Sequence, residues 1–222
     1  MINTFLFDIG NVLLDFDYLK EFRRLFDEET AQKIADISIR HPEIWRGMDA
    51  GVLSYDEAVS LIVQSAPHLE AQIRLAIQEL YNNVRSFDYA EQWLKGLKAA
   101  GFRIYILSNY GEKPFADSKQ RMPFLKYTDG QLISYEIQAT KPSPAAFSAV
   151  CDRFAIDPAE TVFIDDSAAN IAAAPPWGFT RFYSKVIPMP YISCHSCRWP
   201  TTAFELTNNK CHPNCSSGWH LL

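Results

Sequence analysis

The segment Thr4-Phe5-Leu6-Phe7-Asp8-Ile9-Gly10 sets a carboxylate at the end of an apolar, aromatic-rich run. The run is too short to cross a membrane and has the length of a buried parallel strand, which places Asp8 at the strand's C-terminal tip. In open α/β sheets that edge is where ligands bind, and Gly10 lets the backbone turn sharply beside one. Read alone, Asp8 fits a turn cap equally well. Two later buried runs end in the same way. Arg103-Ile104-Tyr105-Ile106-Leu107 delivers Ser108 and Asn109, and Thr161-Val162-Phe163-Ile164 delivers Asp165 and Asp166. Lys141 stands just ahead of a helix opened by Pro142-Ser143-Pro144.

Helices between the strands imply a parallel sheet, and parallel strands bring Asp8, Ser108, Asn109, Lys141, Asp165 and Asp166 to one edge. Carboxylates packed together repel one another unless a cation sits among them, and an all-oxygen ligand set suits Mg²⁺. The Ser108 hydroxyl, the Asn109 amide and the Lys141 ammonium are the donors and positive charge that hold a phosphoryl group. Asp8 is then the group free to attack phosphorus, forming an aspartyl-phosphate that water hydrolyses.

The elements that must position these residues follow from periodicity. From residue 16 to 86 the pattern is helical. It has an apolar stripe at Leu19, Phe22, Leu25 and Phe26, and a second helix through Ala31, Ile34, Ala35 and Ile39. A capping box at Ser54-x-x-Glu57 opens a third helix, and a long one carries Leu69, Ile73, Ile77, Leu80, Tyr81 and Val84. Residues 1–15 and 87–183 are expected to form a Rossmann-like α/β core, with 16–86 inserted after the first strand as a helical cap. Within the insert, Trp45, Arg46, Met48 and Asp49 are expected in a loop that could face the substrate, but they are read first as core packing and solvated charge and given no role. His41 and His68 are expected at the surface, and nothing aims Asp15 or Asp17 at the site. Leu132-Ile133-Ser134-Tyr135-Glu136-Ile137 reads as a strand, and Gly178 to Tyr183 as one more.

A chain of 222 residues, 48% hydrophobic, can bury a full core, and a formal charge of -5 offers no basic field for nucleic-acid phosphates. A small phosphate ester needs only local positive groups. The N-terminus has neither a basic signal-peptide region nor a spanning helix, so no membrane association and a cytoplasmic location are expected. The oligomeric state leaves no mark in the sequence. Four of the five cysteines crowd near the C-terminus. Cys194-x-x-Cys197 and Cys211-x3-Cys215, with His195 and His212, have the spacing of zinc knuckles. Periodicity is lost after Pro175-Pro176, however, and residues 184–222 read as an irregular, disordered or frame-shifted tail rather than a zinc module.

Four segments in order carry a resemblance: Phe7-Asp8-Ile9-Gly10-Asn11-Val12, Ile106-Leu107-Ser108-Asn109, Lys141-Pro142-x-Pro144, and Phe163-Ile164-Asp165-Asp166-Ser167-Ala168-Ala169-Asn170-Ile171. They resemble the four motifs of the haloacid-dehalogenase-like (HAD) hydrolases over roughly residues 3 to 183, closest to capped bacterial sugar-phosphate phosphatases of the glucose-1-phosphate type. The resemblance implies that Asp8 is nucleophile and Mg²⁺ ligand, that the Gly10 carbonyl is a second ligand, and that Asp165 or Asp166 completes the metal shell. It further implies that Ser108, Asn109 and Lys141 bind the phosphate, with Lys141 also counted as catalytic and Asn170 supporting the metal ligands from behind. One position departs from the pattern. Most phosphatases of the family carry, two residues after the nucleophile, an Asp that protonates the leaving oxygen and then deprotonates water, and here that residue is Gly10. Such acid catalysis is worth roughly 10²- to 10⁴-fold, so slow turnover of plain alkyl phosphates and a preference for a sugar 1-phosphate are expected. The alternatives are a haloacid dehalogenase, whose halide leaves without a proton, and a phosphate-ester binding protein without turnover.

Overall fold

In the computed structural model, which describes residues 1–174 and 178–183, β1 (Thr4–Phe7) is buried along its whole length. A strand with no face for water belongs in the middle of a parallel sheet. Accordingly β1 lies between β4 (Arg103–Ser108) and β6 (Thr161–Asp165), with Phe7 level with Ile106 on one side and Ile164 on the other. Outside these run β5 (Gly130–Ile133) and β7 (Thr180–Tyr183), giving the order β5-β4-β1-β6-β7, parallel throughout. Alternation along the strands divides the core in two. Phe5, Phe7, Ile104, Ile106, Val162 and Ile164 face one layer, which includes α6 (Ala90–Ala99). Leu6, Tyr105, Leu107 and Phe163 face the other, under α8 (Pro144–Phe154) and α9 (Ala168–Ala173).

Between β1 and α6 the chain forms five helices: α1 (Tyr18–Leu25), α2 (Glu28–Ile39), α3 (Pro42–Asp49), α4 (Tyr55–Gln64) and α5 (Glu70–Asn82). Their starts have local causes. Asp17 and Asp27 cap α1 and α2 by accepting from Lys20 N and Thr30 N, and the Ser54–Glu57 capping box closes reciprocally at α4. The entry and exit of this insert are tied by β2 (Leu14–Asp15) and β3 (Arg85–Ser86), an antiparallel ribbon with Leu14 opposite Ser86. Two residues per strand are too few to show alternation, and the sequence carries no trace of it. Back in the core, α7 (Glu112–Ser118) follows β4.

Two local expectations are corrected. The strand expected over Leu132 to Ile137 stops at Ile133 and turns into a 3-10 helix over Ser134–Glu136, because the Glu136 carboxylate accepts from the Ile133 N–H at 3.2 Å and the Ser134 hydroxyl donates to the Asp49 carbonyl. The loop expected around Trp45 to Asp49 is helix α3. Pro42 sits at its first turn, where a missing N–H costs nothing, and Gly47 in its middle hid the helical pattern. The helix break expected at Pro175-Pro176, and the tail with its cysteine pairs, lie outside the described residues.

Candidate active site

Asp8 follows β1 directly, and its N–H donates to the Ile164 carbonyl at 2.9 Å, so the neighbouring strand fixes the backbone that carries the carboxylate. Asp8 Oδ1 accepts from the Ser108 hydroxyl at 2.8 Å and lies 2.9 Å from Lys141 Nζ, whereas Oδ2 has no partner among the described residues. Lys141 Nζ also donates to Asp165 Oδ2 at 2.6 Å, which makes one ammonium the bridge between two strand ends. An ammonium has three donors, so one remains. Asp8, Asp165 and Asp166 each offer an oxygen within 4.8 Å of the others, a spacing that a single cation can span.

The three carboxylates are not equally free. Asp165 is fully buried; its Oδ1 accepts from Ser167 N at 2.8 Å and Asn170 Nδ2 at 3.0 Å, and its Oδ2 from Lys141 and, at 3.2 Å, Asn170 again. Asp166 accepts from Asn11 Nδ2 at 3.1 Å on Oδ2, and among the described residues no other side chain donates to it. Asn11 reaches it from a left-handed backbone conformation, φ 52°, that asparagine tolerates better than most residues. Asn170 thus stands behind Asp165, while Asn11, which the sequence does not single out, orients Asp166.

Asn109 lines the site, but most of its amide is committed elsewhere. Nδ2 donates to the Lys141 carbonyl and Oδ1 accepts from the Lys141 N–H, both at 2.8 Å, across the segment that contains the cis Lys141-Pro142 bond. Its main visible effect is to hold Lys141 in place, with a single N–H left for a ligand. Asp15 and Asp17 turn away, the first to Lys20 and the second to the start of α1. His41 pairs with Glu43 and Ser65.

Burial dominates the electrostatics. It pushes the Asp165 carboxyl up to about 6, the Asp8 charge adds to the shift, and Lys141 opposes it. Asp166 is raised for the same two reasons, against the Asn11 hydrogen bond. Burial works against the Lys141 ammonium too, but the charges of Asp8 and Asp165 more than offset it, and its pKa stands above the ordinary lysine value.

A cavity of about 500 Å³ opens above these residues, roofed by the helical insert. Phe16, Tyr18, Phe22, Trp45 and Tyr81 give it an aromatic wall. Ser38, 6% exposed, also lines it, and its hydroxyl is buried without a hydrogen-bond partner among the described residues. Asp49, expected as a solvated charge, instead faces the cavity from the end of α3. Burial first and the Asp8 charge second push its carboxyl up to about 7, against the nearby Gly111 N–H. No signal in the sequence sets this acid apart from the insert's many others.

Comparison with known proteins agrees with this geometry. D-ribitol-5-phosphate phosphatase of Bacteroides thetaiotaomicron is 27% identical over 195 residues, 82% of this chain and 91% of that protein. (S)-2-haloacid dehalogenase 1 of Pseudomonas sp. is 32% identical over 125 residues, 55% of each chain. The crystal structure of HAD family enzyme bt-2542 from Bacteroides thetaiotaomicron, in complex with magnesium and inorganic phosphate, has the same fold, with a TM-score of 0.68 at 24% identity over 84% of this chain and 96% of that one. The family model for haloacid dehalogenase-like hydrolase matches residues 2–176, and the chain belongs to that family.

Proposed function

We propose that the protein is a Mg²⁺-dependent phosphatase of a small phosphorylated metabolite, working through an aspartyl-phosphate on Asp8. The observation that carries this reading is the meeting of Asp8, Asp165 and Asp166 around the Lys141 ammonium at one sheet edge. Asp166 and the Gly10 carbonyl would hold the metal; Asp8, through the Oδ1 that does not attack, and Asp165 would join them by giving up one of their protein donors. Three clustered carboxylates against one lysine leave net negative charge, which fits a hard divalent cation. Bound there, Mg²⁺ supplies positive charge against the oxygens of the transferring phosphoryl group.

Within that frame Ser108 and Lys141 hold Asp8 Oδ1, so that Oδ2 points as the attacking oxygen. The third Lys141 donor and the remaining Asn109 N–H would bind phosphoryl oxygens. Residues 16–86 act as the cap over the cavity, and residues 1–15 and 87–183 as the catalytic core. A volume of about 500 Å³ suits a small metabolite, and the unpartnered Ser38 hydroxyl, buried in the wall, favours a leaving group rich in hydroxyls. A sugar phosphate meets both conditions. D-Ribitol 5-phosphate, the substrate that names one relative, belongs to the same chemical class.

Dehalogenation of a 2-haloacid is the second reading, carried by the dehalogenase relatives and by Gly10. It leaves Asp166 held by Asn11 beside two further carboxylates with no cation to serve. A panel of phosphorylated sugars and polyols, assayed for phosphate release with Mg²⁺ and with chelator, tests the proposal, with 2-chloropropionate assayed for halide. Metal-dependent phosphate release that disappears in Asp8→Asn is expected. Halide release without phosphate release would decide for the dehalogenase, and full activity of the Asp8→Asn variant would remove the nucleophile.

A further inference from the structure

Gly10 lines the cavity, and a Cβ built on it would have nothing within 4 Å. The position that carries the proton-donating carboxyl in most phosphatases of this family is therefore open space here, and no crowding requires the glycine. Another carboxyl faces the same cavity from the helical side. We propose that Asp49, at the end of α3, is the catalytic acid and base of this site, doing from the insert what position 10 cannot do from the core.

Asp49 is held there from several directions. The Ser134 hydroxyl donates to its carbonyl and at the same time accepts from Tyr110 N at 2.9 Å, which ties the end of α3 to the loops after β4 and β5. Gly111, in the loop after β4, allows the approach, since a Cβ there would lie 3.1 Å from both the carbonyl and the side chain of Met48. Gly51, at φ +67°, brings the chain just past α3 against the backbone of Tyr135. The carboxyl itself has no ion-pair partner among the described residues. Around it stand the Gly111 N–H, the phenols of Tyr81 and Tyr110, and the Asp8 charge, whose influence reaches it across the cavity. A group left half protonated near neutral pH, chiefly by burial, is matched to both halves of a proton shuttle.

This assignment rests on the phosphatase reading, and the chemistry closes without any further reactant. Asp8 Oδ2 forms a bond to phosphorus as the bond from phosphorus to the ester oxygen breaks. The Asp49 carboxyl gives its proton to that oxygen, which departs as the neutral alcohol. Water then attacks the phosphorus of the aspartyl-phosphate, the Asp49 carboxylate takes a proton from it, and inorganic phosphate and the Asp8 carboxylate are released. A leaving group that departs readily is no longer required, and the expectation of slow turnover on ordinary alkyl phosphates is reversed.

The test compares kcat/KM, which reports steps only through transfer of the phosphoryl group to Asp8, on two esters: a sugar phosphate esterified at a primary alcohol, and 4-nitrophenyl phosphate, whose phenolate needs no proton. Asp49→Asn should lower the first by about 10²- to 10⁴-fold and the second by less than about ten-fold. Retained 4-nitrophenyl activity also shows that the variant is folded. Adding Gly10→Asp to Asp49→Asn should recover at least about ten-fold on the sugar phosphate, because the new carboxyl enters open space beside Asp8. Equal losses on both esters, or no loss on the sugar phosphate, overturn the assignment while the phosphatase reading stands. Wild-type protein that releases phosphate from neither ester overturns both.

Discussion

Lys141→Met would remove the cation that joins the ends of two strands and keep most of the side-chain volume. The ammonium is 2.9 Å from Asp8 and 2.6 Å from Asp165, and its side chain is 1% exposed. At an effective dielectric constant near 20, unit charges about 4 Å apart attract by about 4 kcal/mol, so two partners amount to about 8 kcal/mol of gross attraction. The lysine's own desolvation cost, several kcal/mol, disappears with it. The expected net loss of unfolding free energy is therefore about 3–5 kcal/mol at pH 8 in chelator, the range for breaking a buried ion pair from one side. The pH dependence has a definite sign. Asp165 already titrates near 6, raised by burial and Asp8 against Lys141. Without the lysine it moves higher, so the folded variant binds protons that the unfolded chain, with carboxyls near 4, does not. Its deficit should thus be full above this window and shrink as the pH falls through it. Mg²⁺ should also shrink it, since a cation among the carboxylates replaces the lost charge. Urea unfolding followed by tryptophan fluorescence, at pH 5 and pH 8 with chelator or Mg²⁺, measures all of this. A deficit below about 1 kcal/mol at pH 8, or one that grows on acidification, would refute the reasoning.

Three further measurements probe the frame around the site. Ser54→Ala removes half of the capping box that starts α4 and should cost about 0.5–2 kcal/mol in the same unfolding experiment, with phosphate release unchanged. Gly130→Ala would place a methyl group 2.5 Å from the ring of Phe154, which stacks on Tyr105 at 4.7 Å, so a loss of about 1–3 kcal/mol from overpacking is expected; an unchanged midpoint would mean that the ring moves aside freely. The Cys151 thiol is pushed from 9.0 up to about 11, chiefly by burial and then by Asp152 and Asp157. Because only the thiolate reacts, alkylation of this cysteine at pH 8, followed by peptide mass mapping, should be about 100-fold slower in the folded protein than in urea, and equal rates would contradict its burial.

Much of the sheet and the chemical character of its edge could be read from residue order alone. Asp8, Ser108 and Asp165 are legible because each ends an apolar run, and a run buried on both faces can only be an interior strand with its polar end at the sheet edge. The Ser54–Glu57 box and the stripe of α5 are legible because a helix start and a 3.6-residue period are local properties. The β2–β3 ribbon was not, since two residues per strand carry no period and the pairing joins Leu14 to Ser86 and Asp15 to Arg85, 72 and 70 positions apart.

The division of labour within the site belongs to the tertiary structure. Residue types identify Asp165 and Asp166 as a carboxylate pair, but only the hydrogen bonds from Lys141, Asn170 and Ser167 reveal that the first is engaged on both oxygens and the second is not. Asn109 was legible as a polar strand-end residue and not as the clamp on the Lys141 backbone. Asp49 shows the boundary most clearly. In sequence it is one acid among many, in a segment whose glycine obscures its helix. What sets it apart is that Ser134, Gly111 and Gly51 lock the end of α3 over the sheet edge, where the loss of water changes the affinity of its carboxyl for a proton. Strand ends are written locally because burial of a run depends on the run itself, whereas the docking of a helix over them depends on contacts among distant residues that no local pattern records.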